Sequence, residues 1–179
     1  AHQGGASTFS VGDDFVVSGG GWNITSLSFF AYQTGGNSVT STMTNVNWAV
    51  YSGAVGNTTT QVASGSGLNS STFTGIFRIF DSNPGVSIPG TTRPIYQNTV
   101  NTSFSLPDGN YWVAWDTQGT LTSGPWAPSV TPNPSGANAV QRTTAGGPYN
   151  PLVDLTNALD LPFIVNGTVV PAPASLALI

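Results

Sequence analysis

The sequence predicts an all-β fold, a β-sandwich or jelly-roll-like domain of about ten short strands with long Pro- and Gly-rich loops. Three observations predict it. Apolar and polar residues alternate with period two in one segment after another. Those segments are rich in β-branched and aromatic residues, and 22 Gly and 13 Pro punctuate them. Amphipathic helical spacing is scarce throughout.

The chain opens with a small, polar stretch, Ala1-His2-Gln3-Gly4-Gly5-Ala6, of the kind expected just after a cleaved leader. It then alternates as Ser7-Thr8-Phe9-Ser10-Val11. Two readings stand for residues 1–11. They form an extension that pairs with the open edge of a neighbouring copy, placing Phe9 and Val11 in that neighbour's core, or they begin the first strand of the chain's own sheet. The sandwich domain is expected over residues 12–170, with residues 171–179 as a tail.

Strands are expected at 15–17, 22–33, 46–51, 61–64, 73–80, 95–100, 111–116, 139–143 and 161–165, with a short one at 168–170. In residues 22–33, Ile24, Phe30 and Tyr32 project to one face, and Leu27, Phe29 and Ala31 to the other. Both faces are apolar in part, so this strand is expected in the middle of a sheet. Leu106-Pro107-Asp108-Gly109-Asn110 reads as the turn of a β-hairpin, and Asn166-Gly167 as a second hairpin of type I′. Asn83-Pro84-Gly85 is another turn. Residues 124–151 read as long loops over one end, and residues 152–159 as one helical turn or two. No repeat and no dividing linker is visible.

Charge is the odd feature. Only 6 % of residues are charged, against about 25 % in ordinary soluble proteins. There is no Lys and no Glu, only seven Asp and three Arg (Arg78, Arg93, Arg142). Disordered chains are usually charged and poor in aromatics, and this one is the reverse. Three Arg cannot neutralise a run of phosphates, so nucleic acid is not an expected partner. So little charge also removes the repulsion that keeps copies apart, which makes self-packing cheap. No Cys is present, so disulfides and thiolate metal sites are excluded. No apolar run reaches the length of about 18 residues that a membrane span needs.

The inventory for chemistry is thin. The only His is His2, near the terminus, and no Lys, Glu or Cys exists to replace it. Two carboxylates facing one another, as glycoside hydrolysis requires, are not placed by any pattern here. No catalytic residues are expected. Asp13 and Asp14 are adjacent carboxylates whose repulsion a Ca²⁺ ion could relieve, although neighbours on a strand point to opposite faces and no D-x-D-x-D loop accompanies them. No other cofactor is expected. Trp112, Trp115, Trp126 and Tyr149 could stack on sugar rings. Trp112 and Trp115 lie three apart on one strand and face opposite sides, so at least one is core. Trp126, between Pro125 and Pro128, is the better candidate for an exposed glycan contact, together with Tyr149. Sequons stand at Asn23, Asn57, Asn69, Asn101 and Asn166, and matter only where a cell glycosylates Asn.

The C-terminal segment Val170-Pro171-Ala172-Pro173-Ala174-Ser175-Leu176-Ala177-Leu178-Ile179 resembles the start of the PEP-CTERM sorting signal of Gram-negative bacteria. In that signal V-P-E-P precedes a Leu/Ala/Gly-rich membrane helix and a basic cluster. Ala172 stands where the family has Glu, and the helix and basic cluster do not follow, which implies a chain processed or truncated at this point. The body, with Asp13-Asp14-Phe15-Val16-Val17, Trp22-Asn23-Ile24, Phe29-Phe30-Ala31-Tyr32-Gln33-Thr34 and Gly124-Pro125-Trp126-Ala127-Pro128, is similar to exported bacterial β-domains that carry such tails. The resemblance implies secretion to a bacterial cell surface or matrix. Two functions are expected on these grounds: a self-assembling subunit of a surface filament, sheath or biofilm matrix, with itself as partner, or a secreted glycan-binding, lectin-like module.

Overall fold

A computed structural model describes residues 9–80, 88–130, 136–154 and 156–170. Its strands in chain order are β1 (Ser10–Val17), β2 (Trp22–Ala31), β3 (Met43–Tyr51), β4 (Gln61–Gly67), β5 (Ser70–Phe80), β6 (Ile88–Leu106), β7 (Gly109–Gly119), β8 (Val140–Arg142), β9 (Asn150–Pro151), β10 (Val153–Asp154), β11 (Asn157–Ala158) and β12 (Phe163–Val169). Among the described residues no helix occurs, so none is long and apolar enough to cross a membrane.

Two antiparallel sheets form a sandwich, one in the order β4-β3-β7-β1-β8-β9 and the other β12-β2-β6-β5; β10 and β11 make a small ribbon. The core lies between the sheets. Val11, Val46, Val50, Val113 and Trp115 from the first meet Leu27, Phe29 and Val100 from the second. Rings stack directly across the gap: Phe29 on Trp115 at 4.9 Å between centroids, and Trp48 on Phe104 at 5.6 Å. Trp112 takes the opposite face of β7 from Trp115 and is half-buried. Alternation on β2 sends Leu27, Phe29 and Ala31 inward, as the sequence predicts, and β2 is flanked on both sides.

Four expectations are corrected. Ile24 belongs to the core and not to the face of Phe30, because both ladders skip Thr25. One unpaired residue reverses the inward and outward order of everything before it. Pro107-Asp108 is not a hairpin turn: β6 lies in one sheet and β7 in the other, so the chain turns a corner between layers. The Asp108 carboxylate explains the corner's shape, accepting N–H bonds from Gly20 (3.0 Å) and Gly21 (2.8 Å) in the β1–β2 connection, which also passes from sheet to sheet. Asn166-Gly167 is not a hairpin either but a register shift inside one continuous β12. A Cβ on Gly167 would overlap the Asn23 carbonyl oxygen, so glycine is needed there for close approach of the two strands. Where the sequence suggests a helical turn over residues 152–159, Val153–Asp154 and Asn157–Ala158 pair as β10 and β11.

The boundary expected after residue 11 also moves. β1 begins at Ser10, and Val11 pairs with Trp115 on one side and Gln141 on the other, fully buried in its own chain's core. Val11 therefore has an intramolecular place, and Phe9 stands half-buried just before the strand. The turn Asn83-Pro84-Gly85, residues 1–8 and the tail 171–179 lie outside the described residues.

Candidate functional site

Beyond the end of β2, Tyr32 exchanges two backbone hydrogen bonds with Trp126: Tyr32 N–H donates to the Trp126 carbonyl at 3.0 Å and Trp126 N–H to the Tyr32 carbonyl at 2.8 Å. Directly opposed antiparallel residues put their side chains on one face. The two aromatic side chains thus share a groove of about 250 Å³ with Thr34, Arg93 and Ser123. Trp126 Nε1 donates to Ser123 Oγ at 3.4 Å, and Arg93 Nε donates to Thr34 Oγ1 at 3.3 Å.

The loop carrying Trp126 is held from beneath. Gln33, 1 % exposed, donates from Nε2 to the Leu121 carbonyl (2.8 Å) and accepts from Leu121 N–H (3.3 Å). Gly124 follows with φ +94°, and a Cβ there would sit 2.6 Å from Cδ1 of the Trp126 indole. Only glycine meets both demands, so the indole's position depends on it.

The same outer face continues along the strands. Phe30 and Tyr32 are alternate residues, as are Ile95 and Arg93 on β6 and Pro128 and Trp126 on the loop. Phe30, Ile95 and Pro128, with Thr74, Phe77 and Arg78, line a second groove of about 490 Å³. Among the described residues lining the two grooves there is no carboxylate, while two of the chain's three Arg are present.

Tyr149, expected beside Trp126, lies elsewhere. Its hydroxyl meets Ser10 Oγ at 2.8 Å and its ring faces the Arg142 guanidinium at 5.2 Å, on the outer face of the six-stranded sheet. Asn47 and Asp116 stand in that neighbourhood, with Asn47 Nδ2 donating to Asp116 Oδ1 at 2.8 Å. Trp126 and Tyr149 are therefore not one site.

Asp13 and Asp14 differ in their partners. Asp13 is 3 % exposed and accepts N–H bonds from Leu161 (2.7 Å) and Asp14 (2.9 Å), whereas Asp14 accepts from Ala137 N–H at 2.7 Å. The two carboxylates thus take different backbone partners, and both line one cavity of about 430 Å³ with Asp160. Among the described residues, no group of three or more His, Cys, Asp or Glu is arranged to hold a metal ion.

Burial pushes the Asp13 carboxyl from its ordinary 3.8 up to about 7, against the two backbone N–H bonds and with help from the nearby Asp160 and Asp14 charges. Burial also raises Asp116, opposed by its bond from Asn47 and by Arg142. A carboxyl that holds its proton more tightly folded than unfolded stabilises the fold at low pH. That contribution is complete below the unfolded value and disappears as pH rises through the folded one. The melting temperature is expected to fall between about pH 4 and about pH 7, and Asp13→Asn to flatten the slope. A melting temperature that rises over this interval would contradict the assignment.

No family model, no curated protein and no solved structure matches this chain. The site is therefore read from its own residues. Trp126 was legible as a Trp held between prolines. Tyr32 was placed on the right face but not recognised as its partner, and Arg93 and Gln33 carried no signal, since their roles depend on contacts 59 to 88 positions apart.

Proposed function

We propose that the protein is an extracellular structural subunit that assembles with itself in a surface filament, sheath or biofilm matrix. The observation that carries this reading is the edge of β4, which no other described strand pairs with. It ends the six-stranded sheet, and its seven residues, Gln61–Gly67, include no charge and no Pro. Exposed strand edges are ordinarily blocked by such residues, because their unpaired N–H and C=O groups recruit another strand. β12, at one edge of the other sheet, is also uncharged. The chain's low charge and the likeness of residues 171–179 to a sorting signal support export.

Edge pairing joins subunits through hydrogen bonds and apolar contacts. Assemblies should then keep their size in light scattering as NaCl is raised to about 1 M, where screening acts within about 3 Å. Dissociation by salt alone, or a protein that stays monomeric at every concentration, would remove the reading.

A second reading, a secreted glycan-binding module, is favoured by the Tyr32–Trp126 pair. Trp126→Ala is expected to abolish retention on immobilised polysaccharide while leaving the circular dichroism spectrum unchanged. Undiminished retention would dispose of this site.

A further inference from the structure

We infer that a pocket on the outer face of the six-stranded sheet, between Arg142 and Asp116, binds a small α-amino acid as its zwitterion. Among the described residues, none from β4 and none from the groove at Trp126 lines it, so it stands apart from both surfaces considered above.

Register sets the two charges apart. Arg142 on β8 pairs with Ser10 on β1, and the next residue of β1, Val11, pairs with Trp115, which directly precedes Asp116 on β7. Asp116 and Arg142 therefore lie two strands apart, roughly 9.6 Å between backbones, with the small Ser10 between them. On its other side Asp116 pairs with Asn47 of β3, whose Nδ2 donates to Asp116 Oδ1 at 2.8 Å. Two residues along, Ala49 and Ala114 pair and give the pocket a floor of methyl groups. The space left is about 130 Å³, enough for about four water molecules at roughly 30 Å³ each. Drug-sized ligands take roughly 300–1,000 Å³, so the ligand here is small.

Each charged group is held by a neutral neighbour. The Arg142 guanidinium carbon lies over the Tyr149 ring, 5.2 Å from its centroid, a contact that supplies no lone pair to the N–H donors. One of those donors, Nε, is buried with no hydrogen-bond acceptor among the described residues. A buried donor left unmade is costly, and a carboxylate meets Nε and a neighbouring N–H together. The hydroxyls are set as well. Ser10 Oγ gives its hydrogen to the Trp115 carbonyl at 3.0 Å, so in the 2.8 Å contact with Tyr149 the phenol donates. The Tyr149 oxygen then remains as an acceptor. Burial, helped by Tyr149, raises the Tyr51 phenol against the effect of Arg142, which keeps its hydroxyl a donor. Burial also raises Asp116, against the Asn47 bond and Arg142, so its carboxylate is stabilised by a cation brought close. A plain anion at Arg142 would face Asp116, and a plain cation at Asp116 would face Arg142. A zwitterion satisfies both, and one of the size of glycine or alanine fits the space.

The test titrates glycine, L-alanine, acetate and methylammonium into the protein by calorimetry, with L-tryptophan as a control for size. Glycine and L-alanine should bind roughly tenfold tighter than acetate or methylammonium, and L-tryptophan should not bind. Arg142→Gln and Asp116→Asn should each weaken glycine roughly tenfold or more. Arg142→Lys keeps the charge and loses the two-bond geometry, so it should fall between Arg142→Gln and the parent. Ala49→Leu fills the pocket from its floor without touching a charge, and should abolish binding even where an Arg142 variant fails to fold. Acetate that binds as tightly as glycine and ignores Asp116→Asn would make this a plain anion site and overturn the inference. Glycine binding that survives Ala49→Leu would belong elsewhere on the protein and overturn it too. So would the absence of binding by glycine and L-alanine at millimolar concentration.

Discussion

Trp115→Ala should destabilise the fold by about 3–5 kcal/mol, a large share of the 5–15 kcal/mol that holds a typical domain together. Trp115 is 1 % exposed at the centre of β7 and is a hub between the layers. Its ring stacks on Phe29 and lies 6.0 Å from Phe163, both in the opposite sheet. In its own sheet it stands opposite Val11 on one side and Trp48 on the other. Truncation would leave a void bordered by both sheets, and close-packed rings on rigid strands cannot collapse into it. Trp115→Phe separates packing from polarity. The indole Nε1 is buried and has no hydrogen-bond acceptor among the described residues, so losing that N–H removes a cost and not a bond. The Phe variant should therefore lose clearly less stability than the Ala variant. Urea unfolding of the three proteins decides it: an Ala variant within about 1 kcal/mol of the parent would mean that the sheets do not depend on this ring.

The second large effect concerns assembly. Val62→Lys combined with Ser64→Lys should convert assemblies to monomers while leaving the monomer's melting temperature close to the parent's. The two positions are exposed on the outer side of β4, and Val62 is 47 % accessible. The inward side is different: Ala63 packs against the core, and a Cβ on Gly65 would lie 2.8 Å from the Trp48 ring, so substitutions there would damage the fold. Two ammonium groups beside an open edge must be desolvated before another strand can pair, and in an edge-to-edge dimer they meet their own copies. Sedimentation velocity of parent and variant at equal concentration gives the readout. Assemblies of unchanged size in the double variant would show that β4 is not the junction and would turn attention to β12.

How far the sequence reached is clearest where it failed. The Trp22–Ala31 strand was legible because its alternation is local, yet Ile24 was assigned to the wrong face, since the skipped Thr25 is set by two neighbouring strands. Asp108-Gly109 and Asn166-Gly167 have the chemistry of tight turns, and one became a corner between sheets and the other a bulge. Turn propensity states what the backbone tolerates. Which strand lies alongside is decided elsewhere in the chain.

By itself the sequence determined the all-β class, the period of its strands, the near absence of charge and a catalytic inventory without Cys, Lys or Glu. These follow from residue types and short spacings, which act through local conformation and solvation. Only the tertiary structure decided that Val11 is buried in its own sheet, that Asp13 and Asp14 take different backbone partners, and that Tyr149 lies on the outer face of the six-stranded sheet while Trp126 joins Tyr32 beside Arg93. Such juxtapositions are set by register between strands distant in sequence, and a one-residue change of register moves a side chain from one face of a sheet to the other.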